Sequence, residues 1–332
     1  LKNWIDSFMH IPFNKYCNLP VSIDDGLDKC NIFMENAMNI LNNTVYGLDD
    51  AKMQIMQSIG QWIVNPDAIG TALAIKGPMG TGKTTLIQHG ISKILNRPFK
   101  LIPLGGATDA TFLEGHSYTY EGSTYGKIVD MLIQSKCANP IIYFAELDKV
   151  SDTARGEEII SILTHLIDST QNTQFHDKYF SEIDFNLSKA LFVFSYNDES
   201  KINQILKDRM YKIVTKGYTV SEKEIIAKNY LIPSIISQLN FEKDNIIISD
   251  ESIIYIINNL TNNEAGVRNL KRCLQIIFTK INLFRLMKPD SKLFNKEKCL
   301  KIEFPFTVTN KIIEKLIPKT DLENDNWKRM YL

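Results

Sequence analysis

Glycines, one lysine and one threonine at fixed spacing carry the first chemistry in this chain. Gly77-Pro78-Met79-Gly80-Thr81-Gly82-Lys83-Thr84 fits G-x-x-x-x-G-K-[ST]. Glycine lets a backbone turn tightly enough for successive N–H groups to face one anion. Lys83 adds a mobile positive charge for β- and γ-phosphates, and the Thr84 hydroxyl can ligate Mg²⁺. Thr85 extends the run. The chemistry written here is capture of a nucleoside triphosphate. The flanks agree: Thr71–Lys76 is an apolar run suited to a buried strand, and Thr84–Leu95 has apolar residues at helical spacing. Strand, loop and helix are what such a loop requires, with the helix turning its positive end to the anion.

A second acidic position is expected across from that loop. Pro140–Phe144 is an apolar strand followed by Ala145-Glu146-Leu147-Asp148. In nucleotide hydrolases an Asp at such a strand end holds Mg²⁺ and the next Glu polarises water. Ala145 takes the Asp position here and Glu146 remains as candidate base. In an extended strand end Asp148 shares a side with Glu146, not with Ala145, and is expected to substitute poorly. Asn197 ends another apolar strand, Ala190–Ser195, where it can position water or a γ-phosphate, or cap the next turn. Gly115–Gly126 sets tyrosines among glycines, which suits a gripping loop, although the residues by themselves favour a surface loop with amphipathic tyrosines.

These residues need elements to hold them. The 332 residues allow two or more domains, and 44% hydrophobic with 23% charged content is globular. Lys plus Arg and Asp plus Glu both total 38, which gives no support to a polyanion-binding function. Cys17, Cys30, Cys137, Cys273 and Cys299 are scattered, so free thiols in the cytoplasm or another reducing compartment are expected, without zinc. No apolar run spans a membrane, and a start at Leu1 rather than Met is expected of a processed or excised piece. Leu1, Trp4, Ile5 and Phe8 predict a first amphipathic helix, Asp28–Leu41 a second, and the stretch after Thr44–Asp50 a third. Phe99–Leu104 and Tyr211–Val214 complete five strands, and Glu157–Ile167 is helical. From Gly217 helical patterns dominate: Ser221–Leu231 with a capping box of Ser221 and Glu224, Glu251–Leu260, Gly266–Met287 and Thr309–Ile317. Asn245–Ser249 and Cys299–Phe306 are extended. The expected division is 1–44 helical connector, 45–216 α/β domain, 217–319 small helical domain and 320–332 polar tail.

With these pieces in order, the chain resembles the AAA+ ATPase module of the Lon protease family, from LKNWIDSFMHIPFNK to about Lys319. The motifs are VYGLDDAK, GPMGTGKTT, LGGATDATFLEGHSYTYEG, LFVFSYN, LKDRM, GYTVSEKEIIAKNYLIP and EAGVRNLKR. The resemblance implies an α/β P-loop fold, with a five-stranded parallel sheet of order 5-1-4-3-2 and a C-terminal helical lid. It implies ATP and Mg²⁺ as cofactors and a homohexameric ring that threads unfolded polypeptide. Tyr46 and Gly47 match a segment that lies against adenine, although a turn with a core tyrosine reads as well. Asn197 matches sensor 1, Arg268 sensor 2, and Arg209 the finger that completes a neighbour's site. Tyr120 matches the aromatic of the pore loop. Three departures stand out: Ala145, Glu121 where an aliphatic residue follows the pore tyrosine, and no Ser–Lys dyad, so no protease activity is assigned to these residues. The expected function is an ATP-hydrolysing unfoldase module with turnover impaired by Ala145. The alternatives are a non-cycling nucleotide-binding scaffold or regulator, and a nucleic-acid remodeller that the neutral charge disfavours.

Overall fold

Five short segments, the central three buried on both faces, pair into one parallel sheet. They are β1 (Leu73–Lys76), β2 (Phe99–Pro103), β3 (Ile141–Ala145), β4 (Leu191–Tyr196) and β5 (Tyr211–Val214). The computed structural model describes residues 2–65, 72–107, 109–242, 245–287, 300 and 302–317. Leu1, Thr71, Cys299 and the expected 320–332 tail lie outside the described residues. The strand order is β2-β3-β4-β1-β5, which read from the other edge is the 5-1-4-3-2 of the resemblance. Central β1 pairs Leu73 with Val193 of β4 and with Tyr211 of β5. Helices cover both faces, which is why β1, β3 and β4 are near-continuously hydrophobic rather than alternating.

Strand alternation sorts the side chains between two cores. Ala74, Ile142, Phe144, Phe192 and Phe194 face one way, against Ile128, Leu132, Ile159 and Leu163. The latter come from helices Lys127–Ser135 and Ala154–Ile167. Leu73, Ile75, Ile141, Tyr143, Leu191 and Val193 face the other way, with Ala145 packed beside them. That second layer contains helices Leu27–Thr44 and Asp49–Val64 and the helical run that follows the glycine loop. The run is Lys83–Thr85, a π-helical stretch Leu86–Ile91, and Ser92–Leu95. The first helix, Lys2–Met9, uses only part of its expected apolar face. Trp4 stacks on Phe8 at 5.4 Å and its indole N–H donates to Tyr179 O at 3.2 Å, whereas Ile5 stays 45% exposed.

The described residues separate into two compact units: one runs to Gly77 and from Gly82 to Lys216, the other holds Pro78–Thr81 and continues from Gly217. In the second, helices Asp250–Leu260, Arg268–Leu286 and Asn310–Leu316 bury Ile253, Ile257, Leu274, Phe278 and Ile313. Strands β6 (Ile246–Ile248) and β7 (Phe306–Val308) pair in parallel beside them. The first helix of this unit opens earlier than its sequence suggests, at Val220. Its capping box is Thr219 with Glu222, not Ser221 with Glu224. The reason is that the Tyr218 N–H is already committed to Ala265 O at 2.8 Å, which fixes where the chain can turn.

Asp177 shows how a buried charge orders the first unit. Its carboxylate is fully buried and accepts the N–H groups of Gly126 at 2.7 Å and Tyr179 at 2.9 Å. Burial pushes its pKa up to about 6, against those hydrogen bonds. The folded protein therefore binds this proton more tightly than the unfolded chain. Stability from Asp177 is full below about pH 4 and is lost as pH rises through about 6, on the order of 3 kcal/mol. Denaturant unfolding of wild type and Asp177→Asn across this window should show that slope in wild type and its loss in the variant.

Candidate functional site

The glycine loop begins where β1 ends. A side chain at Gly77 would overlap Thr215 Oγ1 and come within 2.7 Å of Thr215 O, so the close approach of β1 to the end of β5 demands glycine. Gly82 has φ of 88°, and a Cβ there would lie 3.2 Å from a Val45 methyl. Val45 stands at the start of the turn that carries half-buried Tyr46 and Gly47. Of that turn it is Val45 that meets the loop at Gly82, a residue sequence reasoning passed over although it is the apolar position just before Tyr46. Lys83 opens the following helix, and its ammonium donates to Gly77 O and, at 2.8 Å, to Asn197 Oδ1. Asn197 thus faces the loop. The alternative role, capping the next turn, belongs to Asp198, which accepts the Ser200 N–H at 3.0 Å. Thr84 and Thr85 complete the first helical turn.

The far side of this loop differs from expectation. β3 ends at Ala145, and Glu146 adopts a left-handed backbone, φ 61° and ψ 48°, which a non-glycine residue holds only at a cost. Its carboxylate lies over Gly105, where a Cβ would overlap Oε2. The chain then turns through Leu147–Lys149. Because the strand does not continue past Ala145, Asp148 does not share a side with Glu146 as period two would have it. Glu146 is exposed, while Asp148 is buried and accepts the N–H groups of Asn197 at 3.2 Å and Asp198 at 3.1 Å. Asp148 holds the tip of β4 in place, a role the sequence did not disclose. On β3, Tyr143 is buried, which pushes its phenol pKa up, and its oxygen accepts the Thr84 hydroxyl at 3.2 Å. Ser195 bonds the same phenol. Mg²⁺, which the resemblance implies, meets one hydroxyl and no carboxylate here. Among the described residues no group of three His, Cys, Asp or Glu side chains could hold a metal. The loop's side chains fit a triphosphate, and the Thr84 oxygen, which donates its proton to Tyr143, keeps its lone pairs for a cation carried on the phosphates, while β3 ends in Ala145 without a carboxylate.

Elsewhere in the first unit, Arg209 follows helix Gln204–Asp208, and its Nη2 pairs with Asp168 Oδ2 at 2.9 Å. Thr170, by side chain and backbone, and Arg209 hold the Asp168 carboxyl below its usual range. Tyr120 is 71% exposed on a turn closed by Ser123 N–H to Tyr120 O at 3.2 Å and His116 N–H to Thr124 O at 3.1 Å. Tyr118 packs edge-on against Tyr179 at 5.6 Å.

The loop tip, Pro78–Thr81, belongs to the second unit and is held there by backbone contacts. Gly80 O accepts the Val267 N–H at 3.0 Å, and the Tyr218 hydroxyl donates to Thr81 O at 2.9 Å. A Cβ on Gly266 would overlap Met79 O, and one on Gly80 would sit 3.0 Å from Arg268 N. Glu264 caps the helix that Arg268 begins, accepting the N–H groups of Asn269 and Leu270 at 2.9 Å each. Tyr218 and Gly266 stand inside the motifs GYTVSEKEIIAKNYLIP and EAGVRNLKR, but their role as partners of the loop tip is set by contacts that those motifs do not spell out.

Residues 73–218 match the ATPase family associated with various cellular activities (AAA), and residues 238–293 match the Lon protease AAA+ ATPase lid domain. A Lon protease homolog of Acanthamoeba polyphaga mimivirus is 40% identical over 264 residues, 79% of this chain and 26% of that protein. The Lon protease of Clostridium acetobutylicum is 38% identical over 282 residues, 85% and 34% of the two chains. A mitochondrial Lon protease homolog of Schizosaccharomyces pombe is 34% identical over 297 residues, 90% and 26%. The chain thus spans between 26% and 34% of the length of these relatives. Among the described residues no helix is long and apolar enough to cross a membrane.

Proposed function

The chain belongs to the Lon family as an AAA+ ATPase module, and from that premise we propose that it binds ATP on Gly77–Thr85 and hydrolyses it slowly to move polypeptide. The observation that carries this reading is Lys83, held over the loop between Gly77 O and Asn197 Oδ1. A triphosphate competes for the ammonium with a carbonyl and an amide oxygen, both weaker partners than a phosphate anion. Tyr46 and Gly47 take the adenine side. Asn197 and Arg268 read the γ-phosphate, and Arg209 acts on the next subunit of a homohexameric ring. Glu146 orients the attacking water from the end of β3. Tyr120 grips unfolded chain, a grip that the neighbouring charge of Glu121 weakens on apolar segments.

Slow turnover follows from Ala145. Without a carboxylate at that position, charge developing on the phosphates is left to Lys83 and the arginines. Phosphate release with and without an unfolded polypeptide tests the reading. Ala145→Asp is expected to raise turnover by about 10²–10³-fold, the scale on which a lost electrostatic stabiliser slows an enzyme. Glu146→Gln should abolish what remains. If Ala145→Asp leaves the rate unchanged while Glu146→Gln still abolishes it, the explanation from Ala145 fails. A second reading, a ring that binds nucleotide without cycling, draws on the same Ala145. Steady-state hydrolysis stimulated by unfolded protein would exclude it.

A further inference from the structure

Two thiols meet beside a guanidinium in the first unit. Residues 15–17 lie along the turn that follows helix Lys127–Ser135, and the Ala138 N–H donates to Lys15 O at 2.7 Å. Asn139 then clasps the main chain of Cys17. Its Oδ1 accepts the Cys17 N–H at 2.8 Å and its Nδ2 donates to Cys17 O at 3.0 Å. The Lys189 ammonium lies 5.2 Å from the centre of the Tyr16 ring. These contacts fix Cys17 against Cys137, and the two thiols are hydrogen-bond neighbours. Cys137 is buried, whereas Cys17 is partly exposed.

Arg97 stands over the pair. Its Nη1 donates to Lys189 O at 3.2 Å, while its Nε is enclosed without a hydrogen-bond partner. Burial lowers the pKa of this guanidinium, and the negative charge of either thiolate raises it again. An enclosed cation with a donor to spare favours an anion beside it. Burial, then the charge and hydrogen bond of Cys17, push the Cys137 thiol up to about 11, against the Asn139 N–H and Arg97. Two further cysteines are shielded. Cys30 donates to Ser22 O at 3.5 Å and Cys273 to Leu260 O at 3.9 Å, and burial pushes Cys273 up to about 12.

We propose that Cys17 and Cys137 form a reversible modification site, oxidised to a disulfide by a low-molecular-weight disulfide of the glutathione type. The accessible partner reacts first. The Cys17 thiolate attacks one sulfur of the small disulfide, whose S–S bond breaks, and one thiolate leaves and takes up a proton. Cys17 now carries a mixed disulfide, and its charge no longer opposes ionisation of Cys137. Cys137 gives its proton to solvent, attacks the Cys17 sulfur and expels the second thiolate, which is protonated in turn. Two protein thiols thus lose two electrons and two protons, and one small disulfide becomes two thiols. Arg97 stabilises the negative charge that both steps put on sulfur. The bond ties the N-terminal segment to the turn that leads into β3.

Treatment of the whole chain with oxidised glutathione, followed by thiol trapping, digestion without reductant and mass spectrometry, tests the proposal. Wild type should yield one Cys17–Cys137 peptide pair that dithiothreitol reverses, with Cys30 and Cys273 still trapped as free thiols. Cys137→Ser should stop at one glutathione on Cys17, and Cys17→Ser should leave Cys137 unmodified. Oxidised wild type should melt about 5 °C or more above the reduced protein, a shift that both variants lack. Wild type that stays reduced in excess oxidised glutathione, stops at the mixed disulfide or pairs either thiol with another cysteine overturns the proposal. Glutathione on Cys137 in Cys17→Ser overturns the order of attack. If a variant does not fold, the wild-type peptide map decides alone.

Discussion

Arg209→Ala is expected to lower ATP turnover by about 10³–10⁵-fold, the range for arginine fingers in phosphoryl transfer, while nucleotide affinity changes little. Because the basal rate is expected to be slow, the measurement belongs in an Ala145→Asp background. A finger acts on a neighbour's nucleotide, so the defect should be complementable. Subunits with Arg209→Ala mixed with subunits carrying Lys83→Ala should recover part of the turnover, since each supplies what the other lacks. Arg209 is held in its own subunit by Asp168. That ion pair has side chains 37% and 14% exposed, and partial exposure keeps its strength modest. It can therefore orient the guanidinium without trapping it. Turnover unchanged by Arg209→Ala would end the finger assignment.

Lys83→Ala is expected to weaken nucleotide binding by about 30- to 1,000-fold, since removing one partner of a charge-assisted contact costs about 2–4 kcal/mol. The substitution also removes the donor to Asn197 Oδ1, so the tip of β4 loses its tie to the loop. Lys83→Arg should not rescue binding, because a planar guanidinium cannot occupy the space of a compact ammonium. Thermal unfolding checks this without a catalytic assay. ATP at about 100 times its wild-type Kd should stabilise wild type by about 2.7 kcal/mol and Lys83→Ala hardly at all. Equal stabilisation of both would show that the anion sits elsewhere.

The sheet was legible because each strand is a short apolar run bounded by breakers. Tyr211–Val214 was found at both ends, and the other four strands to within a residue or two. Helix boundaries were less legible where a contact distant in sequence sets the start. The helix at Val220 opens early because Ala265 holds Tyr218, and no local pattern near Ser221 encodes that. Among site residues, Gly77 and Gly82 could be named from spacing, but their reasons could not. Gly77 is glycine because of Thr215 and Gly82 in part because of Val45, residues far away in the chain.

The chain's sequence by itself determined that a strand, a glycine loop and a helix follow one another in the order a phosphate site requires, because those requirements are local. It also determined that the strand opposite ends in Ala145 where a carboxylate is expected. Only the tertiary structure decided what surrounds that gap. Glu146 in a left-handed backbone breaks the strand's alternation, sends Asp148 inward to the tip of β4, and leaves Tyr143 bonded to Thr84. These are contacts between segments dozens of residues apart. Sequence spacing carries the direction of a side chain along one strand, and it carries nothing about which neighbour reaches that side chain first.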